Sequence, residues 1–257
     1  MVAQSLLLFC VGFMAGLINA VAGGGSFIGF PLLIAIGLTP ITANATFSLV
    51  ALVGTFSSAI GYKEHLQKLP KSYYLLAIPS FIGAIAGAVF LTKSSNNNFL
   101  IIAAFSMLMA VLLMVFQPAI SKRIIKNSRN SKNSNQKKFL IVLVCLLFLA
   151  ISIYAGYFGA GYGILALGLL GITGIKSIHQ MNGLKAVLGI VVGASTIIYA
   201  SNNLIDWRIL PAITIGCVLG GYFGPRYASK LPESFTRITI ITVGLIVTVV
   251  LFKNVFS

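Results

Sequence analysis

Apolar residues gather along this chain into ten runs, five on each side of a polar stretch at Ser121 to Lys138. In the first half the runs cover Ser5 to Ala22, Phe27 to Ile36, Ala43 to Tyr62, Tyr73 to Thr92 and Phe99 to Phe116. In the second they cover Phe139 to Ala155, Ile164 to Ile172, Met181 to Ala200, Ile209 to Arg226 and Phe235 to Phe252. A helix rising 1.5 Å per residue needs about 20 apolar residues to cross a hydrocarbon core about 30 Å thick, and eight of the runs come near that length. The second run of each half, with only about 10 residues or roughly 15 Å of helix, does not cross comfortably. Each short run follows a glycine cluster: Ala22-Gly23-Gly24-Gly25-Ser26 in the first half and Phe158-Gly159-Ala160-Gly161-Tyr162-Gly163 in the second. Glycine costs a helix about 1 kcal/mol relative to alanine and lets backbone approach closely. The short runs therefore read as half-helices that begin at the glycines and point free N–H groups into the protein interior. A tightly packed ordinary span is the alternative.

The pattern predicts an all-α polytopic membrane protein of two inverted repeats, each with a glycine-broken half-helix, with 8 full spans plus 2 short segments. Residues 1–117 form the first transmembrane repeat, 118–138 a basic cytoplasmic linker and 139–257 the second repeat. The linker is rich in Ser, Asn and Lys, has no apolar period and has little reason to fold. Composition agrees, since 58% of the residues are hydrophobic and only 8% charged, against about a quarter charged in soluble domains. The first residues lack the basic start of a signal peptide and run straight into the glycine motif, so the segment reads as structural and retained.

Charge fixes the orientation. Lys and Arg number 18 against three acids, Glu64, Asp206 and Glu233, for a net charge of +15. These cations sit in short loops between apolar runs, as the positive-inside bias requires, which argues against nucleic-acid binding. The linker alone carries Lys122, Arg123, Lys126, Arg129, Lys132, Lys137 and Lys138, which sets it in the cytoplasm with both termini outside. An odd number of crossings per half then puts Lys63, Lys68, Lys71, Lys176, Arg226, Lys230 and Arg237 on the cytoplasmic side too, leaving Lys93, Arg208 and Lys253 outside. Cys10, Cys145 and Cys217 lie inside apolar runs with no metal-ligand spacing and read as buried, inert thiols. His65 and His179 fall between runs and read as solvated loop residues.

Gly16-Leu17 leading to Gly23-Gly24-Gly25, then Pro31-Leu32-Leu33, Gly37-Leu38-Thr39-Pro40 and Ala43-Asn44-Ala45-Thr46, resembles the signature of the sulfite exporter TauE/SafE family. Gly156 to Gly163, Gly171 to Gly174 and Asn182-Gly183-Leu184-Lys185 resemble its second copy. Late in each half a glycine ladder also fits, Gly83 and Gly87 against Gly220, Gly221 and Gly224. The likeness covers nearly the whole chain. It implies movement of sulfite, sulfonates or related small sulfur anions across the cytoplasmic membrane. Family members often carry an Asn-Lys pair after the first-repeat Ala-Thr, whereas here Ala45-Thr46 is followed by Phe47-Ser48, which removes a positive charge. The second-repeat lysine, Lys185, stands at the matching place.

Helix N-termini suit the transport of an anion, because each offers about half a positive charge with free N–H donors and still releases its ligand. The candidate substrate-binding residues are Gly23, Gly24, Gly25 and Ser26 at the first break, with Asn44, Thr46 and Ser48 after it. At the second break they are Gly159, Gly161, Tyr162 and Gly163, followed by Asn182 and Lys185. Each has a purely structural alternative: close packing for the glycines, helix capping for the asparagines, and snorkelling to the interface for Lys185. No acid lies within an apolar run, which argues against coupling through a carboxylate. Export needs none, since about 100 mV negative inside drives a monovalent anion outward by roughly 2.3 kcal/mol. The expected function is a secondary transporter or facilitator that exports a small sulfur-containing anion across the cytoplasmic (inner) membrane. The alternatives are an anion channel or a scaffold without cargo. No nucleophile–base pair or metal cluster suggests an enzyme, and no cofactor or metal is expected. The expected partners are the anion and membrane lipid, without nucleic acid.

Overall fold

The computed structural model describes residues 2–128, 134–175, 177–227 and 233–256, and these residues form helices, turns and no strand. The first half comprises α1 (Val2–Val21), α2 (Ser26–Ala35), α3 (Pro40–Gly61), α4 (Lys63–Leu66), a 3-10 turn (Lys71–Leu76), α5 (Ala77–Thr92) and α6 (Asn96–Ser128). The second comprises α7 (Ser134–Tyr157), α8 (Tyr162–Ile172), α9 (Ile178–Gly193), α10 (Thr196–Ser201), α11 (Leu210–Tyr227) and α12 (Glu233–Phe256). The two short runs are helices of 10 and 11 residues that start beside the glycine clusters. Ala3–Val21, Pro40–Gly61, Lys71–Thr92 and Ile178–Ser201 are each long and apolar enough to cross a bilayer. Large apolar side chains such as Ile60, Phe90, Ile141, Ile197 and Val249 face outward, as expected for a surface in contact with lipid. The chain is a multi-pass helical membrane protein.

In lipid the hydrophobic effect does not drive helices together, so small residues that let backbones touch carry the packing. Two seams work this way. Along α1 and α11, a Cβ added at Gly12 would lie 2.1 Å from the Ile213 carbonyl oxygen, and one at Gly220 would lie 2.0 Å from that of Phe13. Along α5 and α7, a Cβ at Gly87 would lie 2.0 Å from the Ile153 oxygen, and one at Gly156 would lie 2.0 Å from that of Ala84. The glycine ladder seen in the sequence is thus a pair of backbone contacts. Each seam joins one half to the other.

The main helix pairs are reciprocal. Just as α1 packs on α11, its counterpart α7 packs on α5. Likewise α3 packs on α11 as α9 packs on α5, and α12 packs on α2 as α6 packs on α8. The counterparts α3 and α9 meet each other, as do α6 and α12. Because every seam crosses between halves, neither half can bury its small-residue faces alone.

Three expectations change. The Ser121 to Lys138 stretch is helical at both ends, with α6 continuing through Ser128 and α7 starting at Ser134, while 129–133 lie outside the described residues. Cys10 is exposed on α1, Cys145 is half-buried and only Cys217 is buried, because the apolar outer face of α1 is turned outward. His65 and His179 are helical and half-buried, and their rings stack at 4.9 Å across the junction of α4 and α9.

Candidate functional site

Both long helices that precede a break end in the same way. The N–H groups of Ala22 and Gly23 turn back to the Ile18 carbonyl, and those of Phe158 and Gly159 turn back to Tyr154. Gly23 (φ 82°) and Gly159 (φ 74°) take the left-handed conformation that this reversal needs and that glycine adopts without strain. The chain then re-enters helix at Ser26 and at Tyr162. The two breaks meet at the centre of the molecule, where a Cβ added at Gly163 would lie only 2.4 Å from the Gly23 Cα.

Beside this contact lies a partly open cavity of about 90 Å³, lined by both breaks and by α3 and α9. That is room for several waters, each needing about 10–15 Å³ of such space, or for one small oxyanion. Its polar lining comes from Asn19, Ser26, Asn44, Ser48, Thr55 and Lys185, with Ser58 and Ser195 further along α3 and beside α10. Phe30, Phe47, Phe158 and Tyr162 supply aromatic walls. The Phe30 and Phe158 rings, one from each half, meet edge to face at 5.1 Å.

Lys185 is buried from solvent, and its ammonium uses three donors on the protein. Nζ donates to the carbonyls of Asn19 (2.9 Å) and Ala20 (3.1 Å) and to Asn182 Oδ1 (2.8 Å). The two carbonyls belong to the last turn of α1, whose orphan acceptors and negative dipole end attract a cation. Lys185, from the second half, thereby closes the end of a first-half helix and does not snorkel. Tyr62 also donates from its hydroxyl to the Ala20 carbonyl, at 3.4 Å. At the end of α7 the corresponding work falls to neutral groups: Asn44 Nδ2 donates to Tyr157 O at 3.1 Å, and the Tyr199 hydroxyl donates to Gly156 O. No acidic side chain lines the cavity among the described residues. Asp206 sits in the loop before α11, where hydrogen bonds from Arg208 hold its carboxyl below the usual range.

Gly23, Ser26, Asn44, Ser48, Gly159, Tyr162, Gly163 and Lys185 line the cavity among the residues singled out from sequence. Gly24, Gly25, Gly161, Thr46 and Asn182 do not. Gly25 faces α1, where a Cβ would lie 2.3 Å from the Ala15 carbonyl oxygen. The Thr46 hydroxyl accepts from the Asp206 N–H at 2.9 Å and anchors the loop before α11. Asn182 stands behind Lys185. Neither asparagine caps a helix start, since Thr39 and Ser177 occupy those positions. Asn19, Thr55, Ser58 and Ser195 were missed by the sequence reading. Their signal was a polar residue inside an apolar run: Asn19 Nδ2 donates to Thr55 Oγ1 at 3.3 Å, and Ser58 Oγ donates to Gly54 O at 3.0 Å.

Two helix starts, two helix ends and a polar cavity at the core of a multi-pass bundle define a class, that of membrane transporters with discontinuous helices. The family model described as Sulfite exporter TauE/SafE matches residues 8–251, and the chain belongs to that family. Three relatives span most of its length. The "Probable membrane transporter protein" of Haemophilus influenzae is 23% identical over 243 residues, 94% of this chain and 92% of the relative. The "Probable membrane transporter protein ORF9" of a Sinorhizobium species is 26% identical over 240 residues, 93% of this chain and 88% of the relative. The "Probable membrane transporter protein YfcA" of Escherichia coli is 24% identical over 252 residues, 96% and 89% of the two chains. No solved structure matches.

Proposed function

We propose that this transporter moves a small sulfur-containing anion, such as sulfite or a sulfonate, outward across the cytoplasmic (inner) membrane by alternating access. The observation that carries the reading is the central cavity, where two half-helix starts and one buried lysine face a space with no acid among its lining residues. Backbone N–H groups at a helix start stabilise a negative charge without the tight pairing of a full ion pair. Gly23, Ser26, Gly159, Tyr162 and Gly163 contribute the two breaks, with Asn44, Ser48 and Lys185 completing the binding surface. Asn182 acts through Lys185, and Gly24, Gly25 and Gly161 set the turns.

The reciprocal packing of the halves supports an inverted repeat of eight spans and two half-helices around this site. Rocking of one half against the other would expose the cavity to each side in turn. A channel requires a continuous wet path. Contact between Gly23 and Gly163 and the Phe30–Phe158 pair close the centre, which favours a carrier. The membrane potential suffices to drive export, so no coupling carboxylate is needed.

Uptake of radiolabelled sulfite into liposomes holding the purified protein at a positive-inside potential tests this. Saturable uptake, absent from empty liposomes, is expected. Uptake that never saturates makes the protein a channel, and no uptake of sulfite or a sulfonate removes sulfur anions as cargo.

A further inference from the structure

The two halves place equivalent residues around the cavity, and the equivalence identifies a missing charge. Tyr62 and Tyr199 make reciprocal bonds, each closing the end of the long helix in its own half. Counting back four residues from each reaches Ser58 and Ser195, both on the cavity. Counting back fourteen reaches Ser48 in α3 and Lys185 in α9, again both on the cavity. The site thus has two reciprocal positions for a cation and fills one.

Helix ends add no net charge to the site. Each break sets a helix C-terminus, about half a negative charge, next to a helix N-terminus, about half a positive one, so the N–H groups of the two starts orient and stabilise an anion locally without changing the charge count. With no acid and no second Lys or Arg among the described lining residues, the net fixed charge is the single ammonium of Lys185. An anion of one charge neutralises the Lys185 ammonium. An anion of two charges leaves one uncompensated negative charge in the membrane interior, where it is costly.

We propose that the cavity selects singly charged over doubly charged anions, with Lys185 and Ser48 as the pair of positions that sets the preference. This deepens the reading of the site as an anion carrier and rests on it. At Ser48 the side chain spends its hydroxyl on the Asn44 carbonyl at 2.8 Å and supplies no charge to the cavity.

Uptake of radiolabelled methanesulfonate and radiolabelled sulfate, oxyanions of similar size with one and two charges, decides the matter in liposomes clamped at zero potential. The wild type is expected to favour methanesulfonate by at least about tenfold, or 1.4 kcal/mol. Ser48→Lys, which supplies the second cation, should lower that ratio at least about tenfold, and adding Lys185→Ser to it should restore the ratio by returning the site to one cation. Should Ser48→Lys not fold, as judged by size-exclusion elution, Lys185→Gln serves instead and should lower methanesulfonate uptake without raising that of sulfate. Equal uptake of the two anions by the wild type overturns the charge selection and leaves anion transport standing, as does a ratio unmoved by the folded variants. If neither anion is taken up and neither raises the unfolding temperature, the anion-carrier reading itself falls.

Discussion

Gly163→Ala is the sharpest test of the contact between the two breaks. Gly163 is helical with an ordinary φ, so alanine there carries no backbone strain and would by propensity favour α8 by up to about 1 kcal/mol. Its new methyl, however, would stand 2.4 Å from Gly23 Cα, 3.1 Å from the Gly23 carbonyl oxygen and 3.2 Å from its carbonyl carbon, all backbone, and ordinary contact begins at 3.4 Å. The breaks must therefore part by about 1 Å. Forcing an extra methyl into packed backbone costs about 1–3 kcal/mol. In a protein of this size that lowers the unfolding temperature by several degrees. Gly168→Ala on the same helix is the control, since nothing lies within 4 Å of its Cβ, and it should leave stability unchanged or raised. Gly23→Ala should be worse than Gly163→Ala, because the same clash is joined by a left-handed φ of 82°, worth about 1–2 kcal/mol more. Thermal unfolding of the purified proteins and initial sulfite uptake by each give the ranking. If Gly163→Ala matches Gly168→Ala in both, the breaks do not meet as described.

Lys185→Met keeps the length of the side chain but removes the donor to Asn19 O, Ala20 O and Asn182 Oδ1. It should cost about 1–3 kcal/mol in thermal stability, and saturable anion uptake should be lost. Tyr199→Phe should destabilise more than Tyr62→Phe, because the Ala20 carbonyl keeps Lys185 as a donor whereas the Gly156 carbonyl loses its tyrosine. A difference of about 1 kcal/mol is expected from paired unfolding measurements. Thr46→Val removes the acceptor for the Asp206 N–H. It should lower stability by about 1–2 kcal/mol while leaving the uptake KM unchanged, since Thr46 does not line the cavity.

Apolar runs located the helices well, because a helix in lipid must satisfy every backbone group internally and so reads as one unbroken segment. Ser26–Ala35 and Tyr162–Ile172 fall within a few residues of the short runs. The duplicated glycines likewise marked where the chain turns back. What the pattern did not carry was the distinction between glycines that line the cavity and glycines that pack. Gly25 and Gly23 stand two residues apart in one cluster, yet one faces α1 and the other faces Gly163. That depends on the neighbouring helix. Polar residues inside apolar runs were the underused signal. Asn19, Thr55 and Ser58 are each costly in a membrane unless satisfied, and all three line the cavity with their partners close by. Thr46 shows why the signal is not sufficient, since it too is polar and buried but is spent on a loop.

Reciprocal packing and unequal chemistry divide the work of the molecule. Contacts of α1 with α11 are matched by those of α7 with α5, as the proposed alternating-access frame requires. The two helix ends inside that frame match in their tyrosines but not in their second donor: Tyr62 and Lys185 close α1, whereas Tyr199 and Asn44 close α7. In the proposed carrier an anion in the cavity would compete with the α1 carbonyls for the Lys185 ammonium and with the Tyr157 carbonyl for the Asn44 amide. Withdrawing a charged donor would loosen the α1 end more than withdrawing a neutral one loosens the α7 end. A ligand shifts a conformational equilibrium only by interacting unequally with the two states, so in the proposed carrier the rocked state must offer the Lys185 ammonium different partners at the α1 end.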